Sequence, residues 1–142
     1  MNQIASQNAP SPKVVIPHYA FGGLTWLVVT LLIVFNPEAF TQHFFNPELL
    51  AITHLLVLGW ITMIIFGALY QLLPVIMEVK LYSEPFAIAS FILLGLGTIL
   101  LAFSFWQFSF GAIMFVAATC VVVAVGFLLP MYCLLHILPL KK

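Results

Sequence analysis

The chain has 142 residues, 64% of them hydrophobic and 6% charged, with a mean hydropathy of +1.21. Soluble domains carry about a quarter charged residues, so an ordinary globule and a disordered polar tail are both excluded. The four basic and four acidic residues cancel, which leaves no charged surface for nucleic acid or for an acidic partner. The composition predicts an all-α integral membrane protein.

At roughly 20 apolar residues per crossing, a chain of this length holds four or five spans and no soluble catalytic domain. Residues 1–13, MNQIASQNAPSPK, are polar, carry Pro10 and Pro12, and read as a disordered lead. Lys13 sits directly before the first span and no small-residue cleavage site follows, which argues against a signal peptide. Residues 14–142 form the membrane domain. Four apolar runs divide it: Pro17 to Phe35, Pro47 to about Met77, Pro85 to Phe105, and Ser109 to about Leu138. Pro17, Pro47 and Pro85 each open a run, where a missing N–H costs nothing and the fixed φ suits a helix start. Pro74 and Pro130 fall late in their runs and predict kinks. The expected architecture is a four-helix bundle.

Lysine positions predict its orientation. Lys13, Lys80, Lys141 and Lys142 all fall on one side of a four-span chain, so both termini and the Lys80 loop are expected to be cytoplasmic. The outer loop NPEAFTQHFFNPE holds Glu38, His43 and Glu48, and the segment FSFWQFS places Trp106 in an interfacial aromatic belt. Gly22, Gly23, Gly59, Gly67, Gly95, Gly97, Gly111, Ala117, Ala118 and Gly126 supply small residues along the helices. They suit close helix packing or self-association, and equally the general glycine enrichment of membrane helices.

Cys120 and Cys133 share the fourth run, roughly 20 Å apart along a helix axis, too far for a disulfide. The sequence has no CxxCH motif and no paired CxxC motifs, which argues against covalent c-type haem and a zinc ribbon.

Ionisable residues inside a membrane are rare and usually functional, so the histidines carry the chemical question. His18, His43 and His136 fall at the edges of the runs, where a histidine is expected to be solvated. His54 is different. It lies about seven residues into the second run, roughly 10 Å below its outer end, with no charged residue near it on that helix. At 100° per residue Leu58, Ile61, Ile65, Ala68 and Leu72 lie within about 40° of it. An imidazole above a branched apolar stripe is what a b-type haem requires: a neutral ring nitrogen for the iron and an apolar wall for the porphyrin. The same residue can instead hydrogen-bond a neighbouring carbonyl and stitch two helices together.

The segment THLLVLGWITMIIFGALYQLLPV, Thr53 to Val75, resembles the second transmembrane helix of catalytic subunit I of the haem-copper oxidases and nitric oxide reductases. The likeness rests on His54 separated by three residues from Leu58-Gly59-Trp60, on the ALYQLLP ending, and on the inferred orientation. It implies that His54 ligates a low-spin haem from the outer side. The family's subunit has twelve helices in three four-helix arcs, and this chain supplies one arc. It lacks the paired copper-site histidines, the His-x-His helix and a His-Tyr arrangement, so one copy is not expected to reduce oxygen or nitric oxide. Three copies would rebuild the ring, and a closed homotrimer is the favoured assembly.

His18 and His136 are expected too far from His54, across a core of about 30 Å, to share its iron. A second axial ligand is then left to another copy of His54, to Met114 about five residues into the fourth run, or to His43 folded inward; a five-coordinate haem needs none. Met114 also reads as a gap-filling core side chain.

The leading reading is a membrane b-haem protein for electron transfer or for haem or gas sensing. A second is a cofactor-free structural or assembly subunit of a respiratory complex. A third, a channel lined by Thr62, Tyr70 and Gln71, lacks a polar stripe and an intramembrane carboxylate. A copper site built from His43, His54 and Met114 has no recognisable spacing. The expected location is a bacterial cytoplasmic (inner) membrane.

Overall fold

A computed structural model of the chain describes residues 10–76, 80, 81 and 83–128, and all regular structure among them is helical. Three helices are long and apolar enough to cross a membrane: α1, Pro12–Phe35; α2, Pro47–Ile76; and α3, Glu84–Trp106. A fourth, α4, covers Ala112–Gly126 with 15 residues. The remainder of the predicted fourth run, with Pro130, Cys133 and His136, lies outside the described residues, as do residues 1–9 and Met77.

α1 opens at Pro12 and not at the expected Pro17. Ser11 is its N-cap in extended backbone, Pro12 takes the first helical position, and the cap is tied across the bundle. Ser11 N–H and Oγ both donate to the Glu84 carboxylate, at 3.3 and 3.2 Å. That cap and proline signal lies inside the polar stretch, where hydropathy alone does not find it. Pro17 is carried within the helix. α2 begins as predicted: Asn46 caps it by accepting Glu48 N–H at 3.1 Å, with Pro47 behind it.

Each helix runs antiparallel to the next. His18, Gly22 and Thr25 of α1 meet Gly67, Ile64 and Gly59 of α2 in reverse order. Tyr70 meets Ser90 and His54 meets Phe105 between α2 and α3. Gly97 faces Ala117, Cys120 and Val121 of α4. Two apolar clusters result. One, at the end where α1 begins, gathers Val14, Met63, Phe66, Tyr70, Ala87, Leu94, Ala124 and Leu128. The other, at the opposite end, gathers Ala51, Leu101, Phe105 and Ala117, with Leu50, Leu58, Leu100 and Met114 against it.

One feature of α2 was not expected. Leu55–Thr62 winds as a π-helix, and Thr62 Oγ1 donates to Val57 O, five residues back, at 2.8 Å. Such wide turns occur mostly as local bulges and frequently at functional sites. They also carry more residues per turn than an α-helix, so a 100° count run through them misplaces every later residue.

The glycines divide by position. A β-carbon at Gly59 would lie 2.5 Å from Thr25 Cγ2, and one at Gly97 would lie 2.9 Å from the Ala117 carbonyl oxygen. Gly23 and Gly126 have nothing within 4 Å. Close approach at Gly59 and Gly97 therefore serves packing within the chain.

Candidate functional sites at the two ends of the bundle

His54 is the last residue before the π-turns of α2. Its Nδ1 lies 2.7 Å from the Leu50 carbonyl oxygen. A carbonyl can only accept, so Nδ1 carries the proton and Nε2 of the neutral ring keeps its lone pair. The bond stays within one helix and stitches no two helices together. Phe105 of α3 lies against the half-buried ring, with centroids 4.3 Å apart and planes inclined by 30°.

The stripe named with His54 is divided by the structure. Leu58 packs partly into the cluster around Phe105. Ile61 and Ile65 face outward, 39% and 49% exposed, as does Leu72. These three side chains are left free of packing within the chain, and the π-turns that follow His54 break the register that put them on its face. Met114 of α4 is half-buried against the cluster that contains Phe105 and Ala51, beside Leu50 and Leu58. His43 is exposed in the loop, where Nδ1 accepts Phe45 N–H at 3.3 Å and the ring stacks on Phe44 at 4.2 Å. Among the described residues, no three His, Cys, Asp or Glu side chains gather to hold a metal ion. His136 lies outside the described residues, and Cys120 is a half-buried free thiol.

His18 corrects the sequence reading. It was expected to be solvated at the membrane edge, and it is 0% exposed. The helical face accounts for this: α1 starts early enough to make His18 helical, and His18 falls on the face that meets α2. The α1 residues Val14, His18, Gly22, Thr25 and Val29 are all buried on one seam. Across that seam a β-carbon at Gly67 would come 3.1 Å from His18 Cβ, so the small residue makes room for the ring. Its Nδ1 donates to Val14 O at 2.7 Å. Tyr70, Phe91 and Phe66 surround it, with ring centroids at 5.3, 5.1 and 6.4 Å.

Beside His18 runs a buried polar chain that sequence reasoning also missed. Ser90 Oγ donates to Ala87 O at 2.9 Å, so in the Tyr70–Ser90 pair, 2.7 Å apart, the tyrosine is the donor. The hydroxyl assigned to a channel lining is thus engaged inside the bundle. Gln71 is exposed, with its side-chain oxygen 3.4 Å from Tyr19 Oη, while Thr62 bonds back to its own helix. These three residues form no common polar face. The spacing of the α1 seam, 14, 18, 22, 25 and 29, was the available signal for His18. Its small members, Gly22 and Thr25, mark the side that meets α2.

Compared with protein-family models, with curated proteins and with solved structures, the chain matches none.

Proposed function

We propose that this chain is a membrane b-type haem-binding protein, related in style to one arc of haem-copper oxidase subunit I, with His54 as an axial ligand through Nε2. The observation that carries this reading is the Nδ1–H bond to Leu50 O. It fixes the tautomer, orients the ring and leaves the lone pair free, which is how metal-ligating histidines are commonly held. In this reading the half-buried ring and Leu58, which packs on the same cluster as Phe105, would meet the porphyrin, and the outward Ile61 and Ile65 would offer further apolar surface. A haem held there would supply one-electron exchange or binding of a small gas.

Within this reading Met114 is the candidate second ligand from the same chain, and another copy's His54 is the alternative. His18 belongs to the other end: it meets α2 at Gly67, thirteen residues or about 20 Å along the helix from His54. Cytoplasmic termini, an inner-membrane location and a homotrimer that closes three arcs belong to the same proposal, as do lipid and respiratory subunits as partners. Copper has no place in it.

The test is optical. Protein purified in mild detergent is expected to show a Soret band and, once reduced, the α-band of a b-type haem, and His54→Ala is expected to abolish both. A colourless wild-type preparation would transfer the chain to the second reading, a cofactor-free subunit of a larger membrane complex. Haem retained by His54→Ala would keep the cofactor and discard the ligand.

A further inference from the structure

His18 carries a feature that the haem reading does not use. Its ring is 0% exposed, Nδ1–H is engaged by Val14 O, and Nε2 meets no hydrogen-bond donor among the described residues. Buried polar atoms are nearly always partnered, and an exception marks a bound water or a functional role. The nearest polar chain does not provide the donor. The Ser90 proton lies on Ala87 O and the Tyr70 proton lies on Ser90 Oγ. Around the ring, then, acceptor lone pairs are present on Nε2 and on the Tyr70 oxygen, and both hydroxyl protons are committed elsewhere.

What suits two acceptors is a molecule that brings two donors. We propose that His18 Nε2 is a proton-accepting site served by an internal water molecule, which donates one hydrogen to Nε2 and the other to the Tyr70 hydroxyl oxygen. A buried water makes about three such bonds in a polar niche, and these two lie on rings whose centroids are 5.3 Å apart. A proton that reaches this water makes it hydronium. Transfer breaks one O–H bond, forms one N–H bond at Nε2, and leaves neutral water and an imidazolium; release reverses the step. Nδ1–H stays on Val14 O throughout, so the ring need not turn.

Full burial makes a charge on this ring short-lived. The ring centroids of Tyr70 and Phe91, 5.3 and 5.1 Å away, lie within the roughly 6 Å over which an aromatic ring can attract a cation. Among the described residues, the rings packed against the imidazole are Tyr70 from α2, which is titratable, and Phe66 and Phe91, which are neutral. Glu84, at the start of α3, is engaged with Ser11. His18 lies six residues, about 9 Å, from the start of α1, so a proton entering from that end of the bundle would have a short distance to cover. Tyr70 is a positioning residue here, acting through the water it holds.

The full chain in phospholipid nanodiscs, labelled with 15N at histidine, tests this by NMR, with His18 assigned from the signal lost in His18→Gln. The expected spectrum has the proton on Nδ1, a water cross-peak at Nε2, and protonation of Nε2 on acidification. Tyr70→Phe is expected to slow proton exchange between His18 and water at least tenfold while leaving exposed His43 unchanged. Ser90→Ala, which removes the acceptor that orients the Tyr70 hydroxyl, gives a second variant with the same expected direction. An Nε2 with no water contact and no protonation across the folded range would overturn the proposal. Exchange that both variants leave untouched would overturn it equally.

Discussion

The two ends of this bundle hold histidines with the same local bond and opposite surroundings. His18 and His54 each place Nδ1 2.7 Å from the carbonyl oxygen four residues back. Beyond that bond they part. His18 is sealed among Phe66, Tyr70 and Phe91, while His54 is half-buried against Phe105. A back-bonded tautomer is therefore common to both, and what separates the two rings is burial: one is half-exposed at its end of the bundle and the other is sealed within it.

The largest expected contrast is between the two alanine variants. On the haem proposal, His54→Ala should remove the Soret band entirely, while lowering the stability of the haem-free protein in detergent unfolding by only about 1 kcal/mol, as for an ordinary partly buried side chain. His18→Ala should do the reverse, keeping the colour and costing about 3 kcal/mol for the cavity left by a buried ring. Colour lost with His18 and kept without His54 would invert the assignment of the two ends.

Packing between the ends gives the next effect. Gly59→Ala and Gly97→Ala force a β-carbon against Thr25 and against the Ala117 carbonyl, respectively. Overpacking of this kind costs about 1–3 kcal/mol. Gly23→Ala meets nothing within 4 Å and is expected to be neutral or stabilising by up to about 1 kcal/mol. Equal losses from all three would mean that Gly23 also packs closely, against another copy or another subunit.

At the His18 end, Tyr70→Phe removes the one observed buried hydrogen bond of the hydroxyl, because Ser90 keeps its bond to Ala87 O, together with the bond proposed to the internal water. Unfolding should register about 1 kcal/mol. A loss several times larger would mean that the hydroxyl supports more of the core than its one observed partner.

The helices are legible because prolines agree with hydropathy: Pro47 opens α2, and Pro85 follows the first residue of α3. The start of α1 is hidden because a Ser-Pro cap signal is overruled by the polarity of the residues around it. His54 stands out in sequence as the one histidine deep within a run. Its apolar stripe is less secure, since the π-turns at Leu55–Thr62 arise from backbone hydrogen bonding that no residue type announces. His18 looks solvated when depth is judged by distance along the chain, whereas burial depends on which face meets α2. The Tyr70–Ser90 pair joins residues twenty positions apart on different helices, and only the antiparallel register of α2 and α3 brings them together.

The smallest predicted effect concerns the turn that closes the His54 end. Phe108 adopts φ of +50° after α3, in the position usually taken by glycine. Ser109 N–H bonds to Ser104 O and Phe108 N–H to Phe105 O, both at 2.9 Å, which holds that conformation in place. A non-glycine residue there carries a penalty of roughly 1 kcal/mol. Against it stand edge-on contacts of the Phe108 ring with Phe45 at 6.1 Å and Phe110 at 5.0 Å. The ring is nearly half exposed, so the backbone penalty should prevail narrowly, and Phe108→Gly is expected to gain about 0.5 kcal/mol without changing the colour. A loss beyond about 1 kcal/mol would show that this aromatic cluster ties the α1–α2 loop to the α3–α4 turn. The His54 end would then owe its shape to its loops as much as to Phe105.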